Sequence, residues 1–569
     1  MEIWIITLIS FVSLIFIWYV HDKYVQRKHQ ILVNYPIIGR LRFVFQEFRE
    51  PFRQYFGDEK FYESMDKLDW VYGASKDKIN FTSFSPSQPL PKPKFMFRHA
   101  NIVLNDDEVE DDFTVVFGEN QKKPFISSSI IGRGPMSDGS ISPEGTRAFV
   151  TGSKLGNFPI NSGEGGLTSN FFVTHNNYDP KYITEKRGNK FQHTIFRLAK
   201  FFFNLPVSVD FYRKLIFKKN QLGDTYVFNE EKECFYRPNW DVSLENFPSD
   251  VPDDMPDIIL QISSGLYGVR DKEGNFDFER YKKQMSFCRM TEIKIAQGAK
   301  QTGGKLIAKK VTPSIAYYRN IEAYKDAFSP NRFPYGNTLE ELFDFIGKLQ
   351  KASNKPVGIK IVISDDTNIV PIAKEIKRRS QLGLPYPDYI SLDGGSGGSA
   401  TAPRDMMERI GMDIRDALYL VNKVLTDYGV RDLVKISASG KILTPDDIII
   451  ILSLGADFIQ IARGFMMSAG CIRARYCSGS TKHQCPVGLA TQDIKKRKHY
   501  FVKKHSEHVK NYHDNILKSL KSLLAVMGLK SFKELDKEKL IFLDKDSLIY
   551  DDMDELFKRR IFNRINSSL

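Results

Sequence analysis

Residues 3–20, IWIITLISFVSLIFIWYV, carry no charge and match the length of a bilayer-crossing helix. Trp18 and Tyr19 close the run, where interfacial aromatics gather, and the bases Lys23, Arg27 and Lys28 follow it. The basic n-region and small-residue cleavage site of a signal peptide are missing. This pattern predicts a single-pass membrane anchor over 1–22, with the remainder cytoplasmic. Residues 23–123, rich in aromatics and proline, read as a compact leader domain. From Pro124 onward short apolar stretches recur near 125–131, 158–160, 257–262, 292–296, 357–363, 388–392, 433–438 and 457–462. Helical periodicities separate several of them, for instance at 142–155, 339–351, 405–428 and 445–454. Eight strands alternating with helices predict an α/β fold, a parallel (β/α)8 TIM barrel over 124–493. One gap, 167–256, is too long for a plain crossover and predicts an insertion. Residues 494–569 predict a helical tail.

Within the insertion, residues 181–220 hold ten Lys or Arg against two acids, interleaved with phenylalanines. Such a stretch suits a membrane surface, or a helical pair packed on the barrel. In the tail, His499, His505, His508 and His513 read as a polar helix face, since no cysteine or carboxylate completes a metal site with them.

Composition narrows the function classes. The apolar fraction of 42% and aromatic fraction of 13% support a large core and argue against global disorder. The net charge of +13 arises from 82 bases against 69 acids. No nucleic-acid-binding module accompanies it, so a nucleic-acid partner is not expected and an anionic membrane surface is. Three of the five cysteines, Cys471, Cys477 and Cys485, fall within fifteen residues, a spacing that suggests a metal or redox centre in a reducing compartment.

In such a barrel the chemistry belongs at the C-terminal strand ends. Those ends read PMSDGS (135–140), NSGEGG (161–166), QISSG (261–265), KIAQGAK (294–300), GIKI (358–361), DGGSGG (393–398), Ser439-Gly440 and Arg463-Gly464. Glycines let a backbone approach a flat ring or a phosphate. Ends seven and eight are where these barrels grip the phosphate of a cofactor. Lys294, Lys300, Lys360 and Arg463 add positive charge, which suits an anionic flavin nucleotide beside an anionic substrate. Gly395, Gly397 and Ala400 also match G-x-G-x-x-A, but Asp416, the acid about twenty residues on, lies in a helical stretch instead of ending a strand.

PMSDGSIS, NSGEGG, KIAQGAK, DGGSGG, SASGKI, ARGFMMSAGC and CPVGLATQ together resemble the FMN-binding glutamate synthase family, in its membrane-anchored, stand-alone form. The resemblance implies reductive amination of 2-oxoglutarate, through 2-iminoglutarate, to L-glutamate, with ammonia or an amine as nitrogen source. It implies that Ser137, Gln261, Lys360, Gly394, Gly395, Ser439, Gly440, Arg463 and Gly464 hold FMN. Glu164, Lys294, Gln297 and Lys300 would surround the substrate, the lysines on its carboxylates. Cys471, Cys477 and Cys485 would carry a 3Fe-4S cluster, although the family's Cys-x5-Cys-x4-Cys becomes x5 and x7. Met1 leads into an apolar run where the family's glutaminase domain has an N-terminal cysteine, and a short tail stands in place of the family's β-helix, so glutamine hydrolysis is not expected. No convincing NAD(P) fold appears, which leaves ferredoxin or a separate reductase as electron donor. The alternatives are an FMN enzyme for another 2-oxo or 2-amino acid, and a non-catalytic flavin electron carrier at the membrane.

Overall fold

The structure is a computed structural model. It describes the chain outside residues 1, 27–31, 33, 42, 46–47, 49–64, 79–92, 173–176, 187–189, 204–221, 230–233, 299–303, 398–401, 404–405, 407–408, 479–483 and 563–569. Two units separate, 1–64 and 65–569.

In the first, helix α1 (Glu2–Val20) covers the apolar run and ends in a wider turn, His21–Val25. Asp22 is buried there and accepts from Arg40 Nε at 2.9 Å and from the Ile37 N–H at 3.1 Å. Among the described residues no helix is long and apolar enough to cross a membrane. The expected transmembrane helix is therefore not established.

The second unit is built around a closed barrel of eight parallel strands. They are β1 (Ile131–Arg133), β2 (Ile160–Asn161), β3 (Ile258–Ile262), β4 (Met290–Lys294), β5 (Val357–Ile361), β6 (Tyr389–Asp393), β7 (Lys435–Ser439) and β8 (Phe458–Ile461). They pair in chain order, and β8 closes onto β1 through Ile459↔Ile131. Most strands are buried along their whole length, as expected where helices cover the outer face and side chains fill the lumen.

The first strand differs from the expected 125–131. Phe125–Ser127 instead pairs antiparallel with Val115–Phe117. This hairpin puts Phe117 against Tyr389 and Phe458, with ring centroids 5.4 and 5.5 Å apart. Apolar strands at two successive positions look continuous in sequence, but the polar Ser127 and Ser129 break them here. The Ser127 hydroxyl donates to the Ser129 carbonyl and turns the chain upward.

Helices between the strands show strong end signals. Helix α2 (Pro143–Gly156) opens with Ser142, whose hydroxyl accepts from the Gly145 N–H, and with a first-turn proline; it stops at Asn157 in the left-handed region. Helix α3 (Leu339–Ser353) is capped by Thr338 and ends at left-handed Asn354. Of the helical stretch expected over 405–428, Ile414–Asp427 is helix α4, with Asp413 as cap; residues 405, 407 and 408 lie outside the described residues.

The tail is only partly helical. Helix α5 (Val502–Met527) packs on α2, where a Cβ on Gly152 would lie 2.6 Å from Val509 Cγ1. Beyond it Leu540–Leu543 is a strand, paired antiparallel with Lys94–Phe97 and with Ile549–Tyr550. The histidines do not form a polar face. His513 is buried, stacked on Phe158 at 4.3 Å, with Nε2 2.9 Å from the Ser129 hydroxyl, and His505 stacks on Tyr500 at 4.5 Å. Burial pushes His505 down to about 4, helped by His508. In the insertion, Asn177–Lys186, Cys234–Asn239 and Val227–Asn229 form a small antiparallel sheet, and Lys190–Phe203 is a helix.

Candidate active site

The barrel interior is layered, and its middle layer is polar. Glu292 on β4 is fully buried, and three carboxamides from other strands turn their N–H groups onto it. Asn161 (3.0 Å) and Gln261 (2.6 Å) donate to Oε1, and Gln460 (2.8 Å) donates to Oε2. Gln460 also reaches the hydroxyls of Ser391 and Ser437, both at 3.3 Å. Three donors on one carboxylate fix it as an acceptor and stitch β2, β3, β4 and β8 together across the lumen. Gln261 thus lies inside the barrel with its amide nitrogen on Glu292.

Two residues further along β4, on the same face, Lys294 opens the next layer. It pairs with Glu164 from the loop after β2 and donates to Gln297 Oε1 at 2.9 Å. Its register neighbour Lys360, on β5, is buried and lies 3.6 Å from Asp393 Oδ2 at the end of β6. Asp393 in turn accepts the Ser439 hydroxyl at 2.8 Å and the Gly298 N–H at 2.9 Å. Glu164, Lys294 and Gln297 therefore form one cluster, and Lys360, Asp393 and Ser439 form another beside it. Lys300 lies outside the described residues.

Glycine backbones frame the second cluster. A Cβ on Gly298 would sit 1.8 Å from the Gly394 carbonyl oxygen, one on Gly395 2.3 Å from the Gly411 carbonyl oxygen, and one on Gly440 3.2 Å from the Gly394 nitrogen. Gly440 has φ +141°, where side chains are strained. The Ser396 hydroxyl in this cradle is buried without a hydrogen-bond partner among the described residues. A buried orphan hydroxyl at a strand end favours a polar ligand there. The donors, the Lys360 ammonium and the bare backbone of this cradle fit a flavin nucleotide. Arg463 and Gly464 begin the short helix Arg463–Ser468 at the end of β8. Gly464 also has a packing role, because a Cβ there would lie 2.0 Å from the Tyr512 hydroxyl on α5.

The loop after β1 joins the site through contacts that spacing did not reveal. A Cβ on Gly163 would lie 2.5 Å from the Ser137 nitrogen, so the first two strand-end loops touch. Asp138 is buried and accepts from Thr146 (3.1 Å), Thr168 (2.7 Å) and Asn170 (2.7 Å). Arg319, also buried, donates to the Asp138 carbonyl at 3.0 Å and reaches the Ser137 hydroxyl at 3.3 Å. Arg319 lies outside the strand ends and the helical stretches read from the sequence, and nothing in its neighbours marks it.

The cysteine segment docks on that same loop. Gln492 Nε2 donates to the Gly139 and Ile141 carbonyls at 3.2 and 2.8 Å, and the Ser142 N–H donates to the Leu489 carbonyl at 2.8 Å. Lys310 is buried between the two, donating to the Ser140 carbonyl at 3.3 Å and the Cys477 carbonyl at 2.6 Å. Burial lowers its pKa, and Cys477 and Cys485 work the other way. Burial pushes Cys471 up to about 12, with repulsion from Cys477 and Cys485 adding to it, and raises Cys477 with repulsion from Cys485. The three thiols are free and near enough to repel one another. Among the described residues no group of three His, Cys, Asp or Glu is set to hold a single metal ion. A cluster core separates its thiolates more widely than one ion does, and three gathered thiols beside a buried ammonium suit such an anionic core.

A parallel eight-stranded barrel with paired lysines at its mouth and a glycine cradle over strands six and seven is the architecture of a small-molecule enzyme. A family model described as a conserved region in glutamate synthase matches residues 93–530, and the chain belongs to the glutamate synthase family. It is similar to the glutamate synthase large subunit-like protein YerD of Bacillus subtilis, at 29% identity over 95% of this chain and 96% of that protein. Against the archaeal-type glutamate synthase (NADPH) of Thermotoga sp. (strain RQ2) it is 30% identical over 51% of this chain and 53% of that one, so it spans about half the length of that relative. Among solved structures, a flavocytochrome b2 mutant with benzoylformate aligns over 84% of this chain and 79% of its own at a TM-score of 0.38 and 11% identity, a likeness too slight to carry an argument.

Proposed function

We propose that the protein is an FMN-dependent oxidoreductase of glutamate synthase type that converts 2-oxoglutarate and ammonia or an amine, through 2-iminoglutarate, to L-glutamate. The observation that carries the reading is the pairing of Lys294 with Glu164 and Gln297 beside Lys360, Asp393 and Ser439 at one barrel mouth. Membership of the family and the names of its relatives support the same reaction. Reduced FMN, when bound, supplies the hydride. Ser396, Ser439, Gly394, Gly395 and Gly440 would hold it, with Lys360 near the ring and Ser137, Arg463 and Gly464 completing the grip.

The chain's own part is electrostatic. Lys294 presents an ammonium to one substrate carboxylate while Gln297 holds that ammonium in place. Glu164, displaced from Lys294 by the substrate, is placed to accept a proton as ammonia adds and to return one as the imine is reduced. Lys294 and Lys360 are each paired with a carboxylate, Glu164 and Asp393, so a dianion beside them needs further positive charge; Lys300 is the residue proposed to supply it.

The same reading gives Cys471, Cys477 and Cys485 an iron–sulfur cluster, a ferredoxin or reductase as electron donor, and a membrane location with the barrel in the cytoplasm. The uncharged run at 3–20 is what supports an anchor. The test is anaerobic reoxidation of the photoreduced protein. 2-Oxoglutarate plus ammonia should reoxidise the flavin, and Lys294→Met or Lys300→Ala should slow this by about 100-fold or more, the range for losing one charge-stabilising group. A colourless protein that does not take up FMN, or reoxidation by other 2-oxo acids alone, overturns the reading. Iron and sulfide analysis with Cys477→Ser as control decides the cluster.

A further inference from the structure

Outside the barrel mouth, one surface in the second unit is built unlike the rest. The helix Lys190–Phe203 of the insertion exposes Ile195 (47%), Leu198 (50%), Phe201 (81%) and Phe202 (73%). At 100° per residue these four fall within an arc of about 120° on one side. Arg197 and Lys200, both exposed, follow one another round the polar side, Arg197 about 40° beyond the edge of that arc and Lys200 about 60° further. The surrounding stretch 181–220 has ten bases and two acids. A soluble surface seldom leaves two adjacent phenylalanines so open, and an apolar arc flanked by bases is the arrangement of helices that lie in the headgroup layer of a bilayer.

We infer that the helix Lys190–Phe203 is an in-plane docking element for an anionic lipid bilayer, with Ile195, Leu198, Phe201 and Phe202 in the acyl boundary and Arg197 and Lys200 on the lipid phosphates. The charge decides the occupant. An apolar arc alone would serve a second protein equally, whereas a flank of bases in a stretch almost free of acids complements anionic headgroups. The insertion leaves the barrel directly after the loop bearing Glu164, so docking would act on the chain that leads to the site without entering it. The inference does not rest on the proposed reaction, and it asks nothing of helix α1.

The test is hydrogen–deuterium exchange of the full chain in three settings: detergent, phosphatidylcholine vesicles, and vesicles containing about a third phosphatidylglycerol. Amides of 194–202 should be protected in the anionic vesicles, much less in the neutral ones, and not in detergent. High salt should weaken that protection. Each basic residue near such a surface is worth about fivefold in binding, so Arg197→Gln with Lys200→Gln should cut the protection of 194–202 about thirtyfold while exchange elsewhere in the chain is unchanged. Equal protection in all three settings would mean that protein covers the face, either this chain or a second copy, and overturns the inference. Absence of protection in every setting, or equal protection in neutral and anionic vesicles, overturns it as well.

Discussion

Gly464→Ala probes the point where the site and the tail helix meet. The added Cβ would lie 2.0 Å from the hydroxyl oxygen of Tyr512 and 2.6 Å from its Cζ. Tyr512 cannot swing aside, because it is fully buried, its hydroxyl donates to the Leu443 carbonyl at 2.7 Å, and its ring packs edge-on against Trp70 and Phe465. The methyl must therefore displace the hydroxyl, which breaks a buried hydrogen bond at about 1–3 kcal/mol. Overpacking of the ring adds about 1–3 kcal/mol. Against this, alanine in a helix is about 1 kcal/mol better than glycine. The expected net loss is about 1–5 kcal/mol, read as a fall in the urea midpoint with an unchanged slope. Tyr512→Leu removes both clashing atoms, so the double variant should be more stable than the sum of the two single losses by about 1 kcal/mol or more. A Gly464→Ala protein within 0.5 kcal/mol of the parent, on the order of a surface substitution, or strict additivity in the cycle, would refute the account of why glycine stands there.

Two further outcomes follow from buried groups. Glu292→Leu leaves the amide N–H groups of Asn161, Gln261 and Gln460 facing a methyl group, and should cost about 3 kcal/mol or more in urea denaturation; a loss below about 1 kcal/mol would mean that the barrel relaxes around the change. His505, depressed to about 4, stays neutral in the folded chain while the unfolded chain takes up a proton below about 6.5, so stability falls as pH drops from 6.5 to 4 and is level above and below that window. His505→Gln should remove about 3 kcal/mol of that fall, measured as urea midpoints at pH 7 and pH 5 extrapolated to the full window; parallel curves for the two proteins would rule out His505 as the source.

Much of the fold was legible in the chain alone because its signals are local. Strand and helix periods depend on neighbours two to four residues apart, and caps such as Ser142-Pro143 and Thr338 act within one turn. The glycine-rich strand ends were visible for the same reason, since a turn that must accept φ +141°, as at Gly440, restricts the residue in place. Tertiary structure decided what depends on partners far along the chain. Phe125–Ser127 belongs to a hairpin under the barrel because Phe117 finds Tyr389 and Phe458 there. Leu540–Leu543 is a strand because Lys94–Phe97 offers it an edge more than four hundred residues away. Gln261 turns to Glu292, Arg319 reaches Ser137, and Lys310 sits under Cys477, none of which any spacing marks. Charge and hydrogen-bonding capacity are written in the sequence, but the partner that satisfies them is chosen by whichever groups the closed barrel brings within about 3 Å.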